Sequence, residues 1–425
     1  MLRHFRSVRV WGAVCLTVAL ALVASRPVVT RAEPADAATD DVRGLWVLRS
    51  SLTSARSIQQ MVATAERAGF NTLLVQVRGR GDAYYDSRIE PRALELEDEA
   101  ATFDPLALTL ATAHAAGIKV HAWVNVDLVS SATLLPRART HVTARHPEWL
   151  MVPRSIAGAL RSVPSDIPSY IGQIARAARA QSDQVEGLYL SPVLPASREY
   201  TASVVTDLVG RYNLDGIHFD YLRYPNEQFD YSTATLAAFR ADAMPIVTKD
   251  VRDRLDRQST ANVAAWPDAL PDAWSQFRRD RLTRLATALR AAARAARPNI
   301  VVSAAVAPNA DDARSGRLQD WRLWARTGIV DVLCPMIYTA DPQEFTAAVT
   351  RVKGDSGPAA VWAGIGAYKL TPARTTENLR VVRRAGVAGV LLYSYDSLTS
   401  GDSAPNYFSL IRTALLNQAP PPIER

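Results

Sequence analysis

Residues 214–225 read Leu214-Asp215-Gly216-Ile217-His218-Phe219-Asp220-Tyr221-Leu222-Arg223-Tyr224-Pro225. Successive side chains of a strand point to opposite faces, so Gly216, His218 and Asp220 share one face. Ile217 and Phe219 then lie on the other face. An apolar outer face and a polar inner face that ends in a carboxylate predict a barrel strand whose C-terminal end carries chemistry. Asp220 is therefore the first candidate functional residue.

Strand-like and helical segments alternate on both sides of this strand. The predicted strands cover residues 44–49, 72–78, 119–125, 214–221, 300–307, 330–338, 360–368 and 389–396. The predicted helices cover residues 57–68, 105–116, 198–212, 274–296, 318–327, 343–353, 372–385 and 404–417. This alternation predicts an α/β fold with a parallel sheet, and eight pairs predict a closed (β/α)8 barrel, a TIM barrel. An open doubly wound sheet is the alternative, but no Gly-rich phosphate loop follows the first strand.

Two connections, residues 126–197 and 221–273, are too long for simple loops and predict insertions after the third and fourth strands. Both leave C-terminal strand ends, so we expect them to overhang the catalytic face. The extra patterns within them are a helix at 167–180, a strand at 187–190, a helix at 236–255 and a Trp/Pro-rich stretch at 266–274.

The N-terminus has the pattern of an export signal. Arg3, Arg6 and Arg9 precede an apolar run at residues 11–24. An uncleaved membrane anchor is the alternative, because the apolar run almost spans a bilayer. We therefore expect a protein of the periplasm or the cell exterior, without stable membrane association once the signal is removed. The predicted divisions are a signal or anchor at 1–32, a linker at 33–42 and the barrel domain at 43–425.

Charge and cysteine content exclude several classes of protein. The formal charge is +7, and the basic residues are scattered rather than clustered, so nucleic-acid binding is not expected. The chain has two cysteines, and Cys15 lies within the predicted signal. Cys334 is then left alone in an apolar strand pattern, which predicts a buried thiol and no disulfide or cysteine-based zinc site.

Polar and aromatic side chains gather at the predicted strand ends. Amide, hydroxyl and charged groups hold sugar hydroxyls, and flat rings stack on pyranose faces, so this mixture predicts a carbohydrate site. Trp46 and Trp324 are expected in the core, whereas Trp123 and Trp362 fit either a sugar platform or the core. The candidate substrate-binding residues are Gln76, Arg78, Asp82, Tyr84, Trp123, Asn125, His218, Arg223, Tyr224, Tyr338 and Tyr393.

Glycoside hydrolysis needs two carboxyl groups, one on each side of the scissile bond. We expect Asp220 to be the nucleophile or charge stabiliser, kept ionised by His218 and Arg223. A structural salt bridge to Arg223 or Arg78 is the alternative role for Asp220.

The sequence leaves the general acid open between Asp341 and Asp396, with Asp82 and Asp127 as outside candidates. Asp341 precedes a proline and fits equally well as a helix cap, and Asp396 fits as a loop-holding residue. His121 and His218 also raise the alternative of a metal-dependent hydrolase or deacetylase. No dense ligand spacing supports this alternative, so no metal or cofactor is expected.

These motifs in order resemble the glycosyl hydrolase-like 10 family, sugar-cleaving (β/α)8 barrels of bacterial envelopes. The resemblance implies hydrolysis of glycan chains, with peptidoglycan stripped of its stem peptides as substrate class and Asp220 as the catalytic acid residue of its strand. Related barrels carry a Glu after the next strand, and residues 301–309 have none. The matching segments are Arg43-Gly44-Leu45-Trp46-Val47, residues 76–85, His121-Ala122-Trp123-Val124-Asn125, His146-Pro147-Glu148-Trp149-Leu150, residues 215–225 and Cys334-Pro335-Met336-Ile337-Tyr338.

The sequence therefore predicts an exported glycoside hydrolase that acts on a cell-envelope polysaccharide. A non-catalytic glycan-binding barrel and a metal-dependent polysaccharide hydrolase are the alternatives. The separation of carboxyl groups at the barrel mouth distinguishes the first alternative from catalysis.

Overall fold

Short apolar runs form the strands of this protein, and eight of them are parallel. The structure is a computed structural model that describes residues 41–400 and 406–417. In those residues the strands are β1 (Val42–Val47), β2 (Thr72–Arg78), β3 (Lys119–Asn125), β4 (Leu128–Ser130), β5 (Leu188–Tyr189), β6 (Gly216–Asp220), β7 (Val301–Val306), β8 (Val332–Ile337), β9 (Ala360–Ile365) and β10 (Gly389–Leu392). The parallel strands close in the order β1-β10-β9-β8-β7-β6-β3-β2, which confirms the predicted (β/α)8 barrel.

The helices of the described residues follow the predicted alternation. The first helix shows why: Ile58, Met61, Val62 and Ala65 recur at helical spacing and are buried, and Ser54 caps the start with a capping box. The helices are α1 (Ala55–Ala68), α2 (Pro105–Ala115), α3 (Val142–Arg145), α4 (Arg154–Leu160), α5 (Pro168–Arg179), α6 (Pro195–Arg211), α7 (Thr233–Ala243), α8 (Lys249–Gln258), α9 (Ala265–Ala269), α10 (Pro271–Ala296), α11 (Ala310–Gly316), α12 (Trp321–Arg326), α13 (Pro342–Asp355), α14 (Pro372–Arg384), α15 (Tyr395–Thr399) and α16 (Tyr407–Leu416).

Strand register brings the inward side chains into layers. Trp123 of β3 is paired with His218 of β6, which is paired with Ser303 of β7. One step further along, Asn125 is paired with Asp220. Because neighbouring residues of a register point the same way, Asn125 and Asp220 form the upper layer at the C-terminal strand ends.

The insertion after β3 builds a wall beside the barrel mouth. Its two short strands, β4 and β5, are antiparallel, with Leu128 paired to Tyr189. Gly187 permits this pairing, because a Cβ at that position would lie 2.0 Å from the carbonyl oxygen of Ser130. The expected helix and strand of this insertion are therefore present as α5 and β5.

Two predicted elements differ from the structure. The helix expected at 236–255 is divided into α7 and α8, because Pro245 removes a backbone N–H and starts a short 3-10 turn. The strand expected at 389–396 ends at Leu392, and Ser394 caps α15 instead. Asp396 consequently lies in the first turn of a helix rather than at a strand end.

The predicted signal at 1–32 and most of the linker at 33–42 lie outside the described residues. The start of the predicted helix at 404–417 does so as well, and α16 begins at Tyr407. Within 41–400 and 406–417, no helix combines the length and apolar character needed to cross a bilayer.

Candidate active site

An open cleft of about 960 Å³ lies at the C-terminal ends of the barrel strands. Seven predicted site residues line it: Gln76, Trp123, Asn125, Asp220, Arg223, Tyr338 and Tyr393. The sequence did not single out the other lining residues as site residues; they are Trp46, Leu48, Arg49, Arg80, Leu128, Glu186, Tyr221, Ala305, Met336 and Tyr368. The cleft thus draws on the barrel and on the first insertion.

Asp220 is the last residue of β6, and its side chain reaches the cleft while only 7% of the residue is exposed. The backbone N–H of Tyr221 donates to Asp220 Oδ1 at 2.7 Å, and Arg223 Nη1 lies 3.8 Å from the same oxygen. Burial raises the pKa of Asp220, and Arg223 and the Tyr221 N–H only partly oppose it. The carboxyl group therefore holds its proton more tightly than an ordinary aspartate.

Glu186 is the second carboxyl group of the cleft, and it comes from the wall formed by the insertion. Arg223 Nη2 lies 3.5 Å from Glu186 Oε1, and the hydroxyl of Tyr189 donates to Glu186 Oε2. One guanidinium thus contacts both Glu186 and Asp220. A sequence signal existed, because Glu186 directly precedes the predicted strand at 187–190 in a segment expected to overhang the mouth.

Aromatic rings form one side of the cleft. Tyr338 and Tyr393 have ring centroids 5.3 Å apart, and Trp46 lies 6.0 Å from Tyr393. Tyr368 stands at the rim and is 47% exposed. Trp46 lines the cleft and so departs from the predicted core role, whereas Trp362 is buried below it against His121. Trp324 is buried as predicted.

His218 belongs to the barrel interior rather than to the cleft, which corrects its predicted sugar-binding role. The indole N–H of Trp46 donates to His218 Nε2 at 3.2 Å, so the ring proton lies on Nδ1 and faces Ser303 Oγ at 3.0 Å. Burial lowers the pKa of His218 to about 3. A neutral imidazole does not supply the positive charge that was expected to keep Asp220 ionised.

Arg78 is also structural, contrary to the prediction. Its guanidinium is buried, pairs with Glu90 at 2.7 Å, and donates to the carbonyl oxygens of Asn125 and Val126. Burial lowers the pKa of Arg78, but Glu90 more than offsets this and leaves the pKa above its ordinary value. Arg78 braces the end of β3 beneath the cleft.

Two predicted tyrosines and two predicted or outside aspartates also lie away from the cleft. Tyr84 and Tyr224 are fully buried in the hydrophobic core. Asp82 accepts from the backbone N–H of Arg80 at 2.8 Å and holds a turn. Asp127 is buried, and burial raises its pKa well above the ordinary value.

Both candidates for the general acid are structural, which corrects that prediction. Asp341 caps α13, since its Oδ1 accepts from the backbone N–H groups of Gln343 and Glu344. Asp396 accepts from the backbone N–H of Leu48 at 2.7 Å and from two serine hydroxyls, so it ties α15 to β1. Neither residue lines the cleft.

The described residues offer no cluster of three or more His, Cys, Asp or Glu side chains placed to hold a metal ion. Cys334 is buried, as the sequence predicted, and burial raises its thiol pKa well above the ordinary value.

An eight-stranded parallel barrel with carboxyl groups and aromatic rings in a cleft at its strand ends defines the class: a barrel of the glycoside hydrolase type. The chain belongs to the glycosyl hydrolase-like 10 family, whose model matches residues 41–366. The resemblance read from the sequence motifs is thereby confirmed.

Curated relatives are distant and longer. The glycosyl hydrolase YngK of Bacillus subtilis is 20% identical over 355 residues, which cover 76% of this chain and 58% of that protein. The glycosyl hydrolase DigH of Escherichia coli is 27% identical over 189 residues, or 40% of this chain and 36% of that protein. The chain thus spans less than two thirds of each.

Solved structures share the fold at low identity. The glycoside hydrolase domain of PgaB (BpsB) from Bordetella bronchiseptica has a TM-score of 0.61 and 15% identity, and the match covers 88% of this chain and 99% of that one. The catalytic domain of a Paenibacillus polymyxa β-amylase has a TM-score of 0.56 and 12% identity, with coverage of 90% and 99%. These likenesses show the barrel fold.

Proposed function

We propose that this protein hydrolyses glycosidic bonds of a polysaccharide, with Asp220 and Glu186 as its carboxyl pair. The observation that carries the proposal is that both groups contact the Arg223 guanidinium inside one aromatic cleft. Contact with a common guanidinium keeps two carboxyl groups within the span of roughly 5–9.5 Å that glycosidases use.

The environments of the two groups suggest different roles. The pKa of Asp220 is raised by burial, and a carboxyl group that stays protonated suits the general acid. This replaces the ionised nucleophile expected from the sequence. Glu186 is ion-paired and accepts the Tyr189 hydroxyl, so it provides the carboxylate that activates water or attacks the anomeric carbon.

The remaining cleft residues suit a sugar. Tyr338, Tyr393 and Trp46 present rings on which a pyranose can stack. Gln76 and Asn125 present amides that are already oriented, since Gln76 Nε2 donates to Asn125 Oδ1 at 3.4 Å and the indole of Trp123 donates to the same oxygen at 2.9 Å. Oriented amides hold hydroxyls with little ordering cost.

The proposed substrate is a cell-envelope polysaccharide, with the glycan of peptide-stripped peptidoglycan as the first choice. Support comes from the motifs shared with the family and from relatives named as glycosyl hydrolases. The basic and apolar pattern of residues 1–32 supports export, and therefore access to such a polymer in the periplasm or outside the cell.

Digestion of sacculi tests the proposal. Wild type should release soluble glycan fragments from peptide-stripped sacculi, whereas Asp220→Asn and Glu186→Gln should release them about 100- to 10,000-fold more slowly, as expected for loss of an acid or base. Asp341→Asn is the matched control and should match wild type. Equal release by wild type and Asp220→Asn contradicts the mechanism, and binding without release by wild type supports the glycan-binding barrel instead.

A further inference from the structure

Two guanidinium groups of the cleft have no carboxylate partner. Arg49 follows β1 and Arg80 follows β2, and both line the cleft. In residues 41–400 and 406–417, no carboxylate oxygen lies within 4.0 Å of either guanidinium. Arg223, by comparison, contacts both acids of the cleft.

The position of Arg49 is fixed by the local backbone. Its side chain lies across Gly79, where a Cβ would be 2.7 Å from both Arg49 Cδ and Arg49 Nη1. Arg49 Nη1 also donates to Gln76 Oε1 at 3.0 Å. Any side chain at position 79 would displace the guanidinium, so the glycine is part of the site.

The loop that carries Arg80 is held by side chains on both sides. Asn125 Nδ2 donates to the carbonyl oxygen of Gly79 at 2.8 Å. The backbone N–H of Thr143 donates to His141 Nδ1, so His141 Nε2 carries the proton and donates to the Arg80 carbonyl at 2.8 Å. Arg80 therefore starts from an immobile backbone at the edge of the cleft.

The two cations are close enough to affect each other. Burial is the main cause that lowers the pKa of Arg80, and the positive charge of Arg49 lowers it further. Both guanidiniums remain charged at neutral pH, because arginine is protonated in proteins. An oriented pair of guanidiniums without a counter-charge suits an anion, and a carboxylate matches the planar donor fork.

We propose that the cleft takes a glycan whose sugar bears a carboxylate, and that Arg49 and Arg80 bind that carboxylate. This inference rests on the proposed function and names its substrate class. The carboxylate belongs either to the ring, as in a uronic acid, or to a lactyl ether, as in peptidoglycan glycan. A stem peptide converts the lactyl carboxylate to an amide, so stripping the peptide restores the charge that the arginines recognise.

Glycan binding to the full chain carrying Asp220→Asn tests the subsite without consuming the ligand. The probes are soluble strands from peptide-stripped sacculi, the same strands with carboxylates converted to amides, and an oligouronate. The charged strands should bind at least tenfold more tightly than the amidated ones. Adding Arg49→Gln or Arg80→Gln should remove this preference, Arg80→Lys should restore part of it, and Arg56→Gln, an exposed arginine of α1, should leave it intact.

The outcomes separate this inference from the proposed function. Preference for the oligouronate over charged strands assigns a ring carboxylate, and the reverse assigns the lactyl group; either supports the subsite. Equal binding of charged and amidated strands, no binding of any charged probe, or an undiminished preference in both arginine variants overturns it. Hydrolysis of sacculi is measured separately, so cleavage without charge preference rejects the subsite alone, and charge preference without cleavage rejects the hydrolase alone.

Discussion

Asp220 is subject to opposing influences, and its chemistry depends on their balance. Burial favours the protonated carboxyl, whereas Arg223 and the N–H of Tyr221 favour the carboxylate. The net effect is a raised pKa, which is the property that a general acid needs near neutral pH. Arg223 is thus a positioning residue that also limits how far the pKa rises.

Removing the charge of Arg223 should change the pH profile in a defined direction. A general acid works while protonated, so kcat/KM falls as pH rises through the pKa of Asp220. Arg223→Gln removes the opposing charge and should move this alkaline limb upward by about one pH unit. The measurement is kcat/KM on stripped glycan across pH. Arg223→Lys, which keeps the charge, should restore the wild-type limb, and a downward shift in Arg223→Gln would contradict the assigned role.

The sequence identifies some site residues and misses others for physical reasons. Alternation along residues 214–221 correctly carries Asp220 to the cleft. The same rule fails at Arg78, because the pairing of β2 with β3 shifts register between Gln76 and Arg78. A bulge of this kind changes where the following side chain lies, and it has no signature in hydrophobic alternation. Glu186 lies in an insertion whose docking depends on tertiary packing, so spacing alone did not select it.

At the scale of elements, the wall formed by β4 and β5 supplies half of the proposed chemistry. Glu186 directly precedes β5, and Tyr189 within β5 donates to its carboxylate. The close approach of β5 to β4 depends on Gly187, which has no room for a Cβ. Small changes in this pairing should therefore displace Glu186 while the barrel itself remains folded.

Gly187→Ala tests this dependence. The added methyl meets the Ser130 carbonyl and should shift β5 together with Glu186, which lowers kcat on stripped glycan by about tenfold or more. Gly172→Ala is the matched control: it lies in α5 of the same insertion with nothing within 4 Å of the added Cβ, and it should raise stability by about 0.5–1 kcal/mol. Unchanged kcat in Gly187→Ala would show that the wall tolerates the methyl.

Helix boundaries illustrate what local sequence can specify. The predicted starts of α2, α13 and α14 follow from a capping residue before a proline, and each is found within one residue. The break between α7 and α8 was missed although Pro245 announces it. Here the apolar periodicity on both sides of the proline was given more weight than the proline, and the missing N–H prevailed.

At the scale of the whole molecule, the barrel interior contains two uncharged imidazoles. Burial lowers the pKa of His218 to about 3 and that of His121 to about 4. In the unfolded chain a histidine takes up a proton near pH 6.5. Each imidazole therefore contributes stability that is fully present above pH 6.5 and is lost as pH falls toward its folded pKa.

The effect of His218 should be visible as an acid-dependent difference in stability. Relative to His218→Gln, wild type should lose on the order of 3 kcal/mol of unfolding free energy between pH 7 and pH 4. Denaturant unfolding of both proteins at these pH values measures the difference, and the subtraction removes groups common to both. His114→Gln, a partly exposed histidine, serves as control. A gap between His218→Gln and wild type that does not change with pH would refute the neutral imidazole.

The barrel as a whole was predictable because closure depends on repetition. Eight apolar runs separated by amphipathic helices have few ways to bury both faces of a parallel sheet, and each run contributes weakly to the same answer. The site depends instead on single residues, whose positions follow from packing between segments that are distant along the chain.

Glu186 and Asp220 are supplied by separate parts of the polypeptide, one a graft on the barrel and the other a barrel stave. Variation can thus be confined to residues 126–197 while the stave that carries Asp220 is left untouched. A combinatorial library over the surface of that graft would alter which polymers are admitted and how the second carboxyl group meets them. The scaffold offers protein engineers a replaceable cassette next to a fixed proton donor.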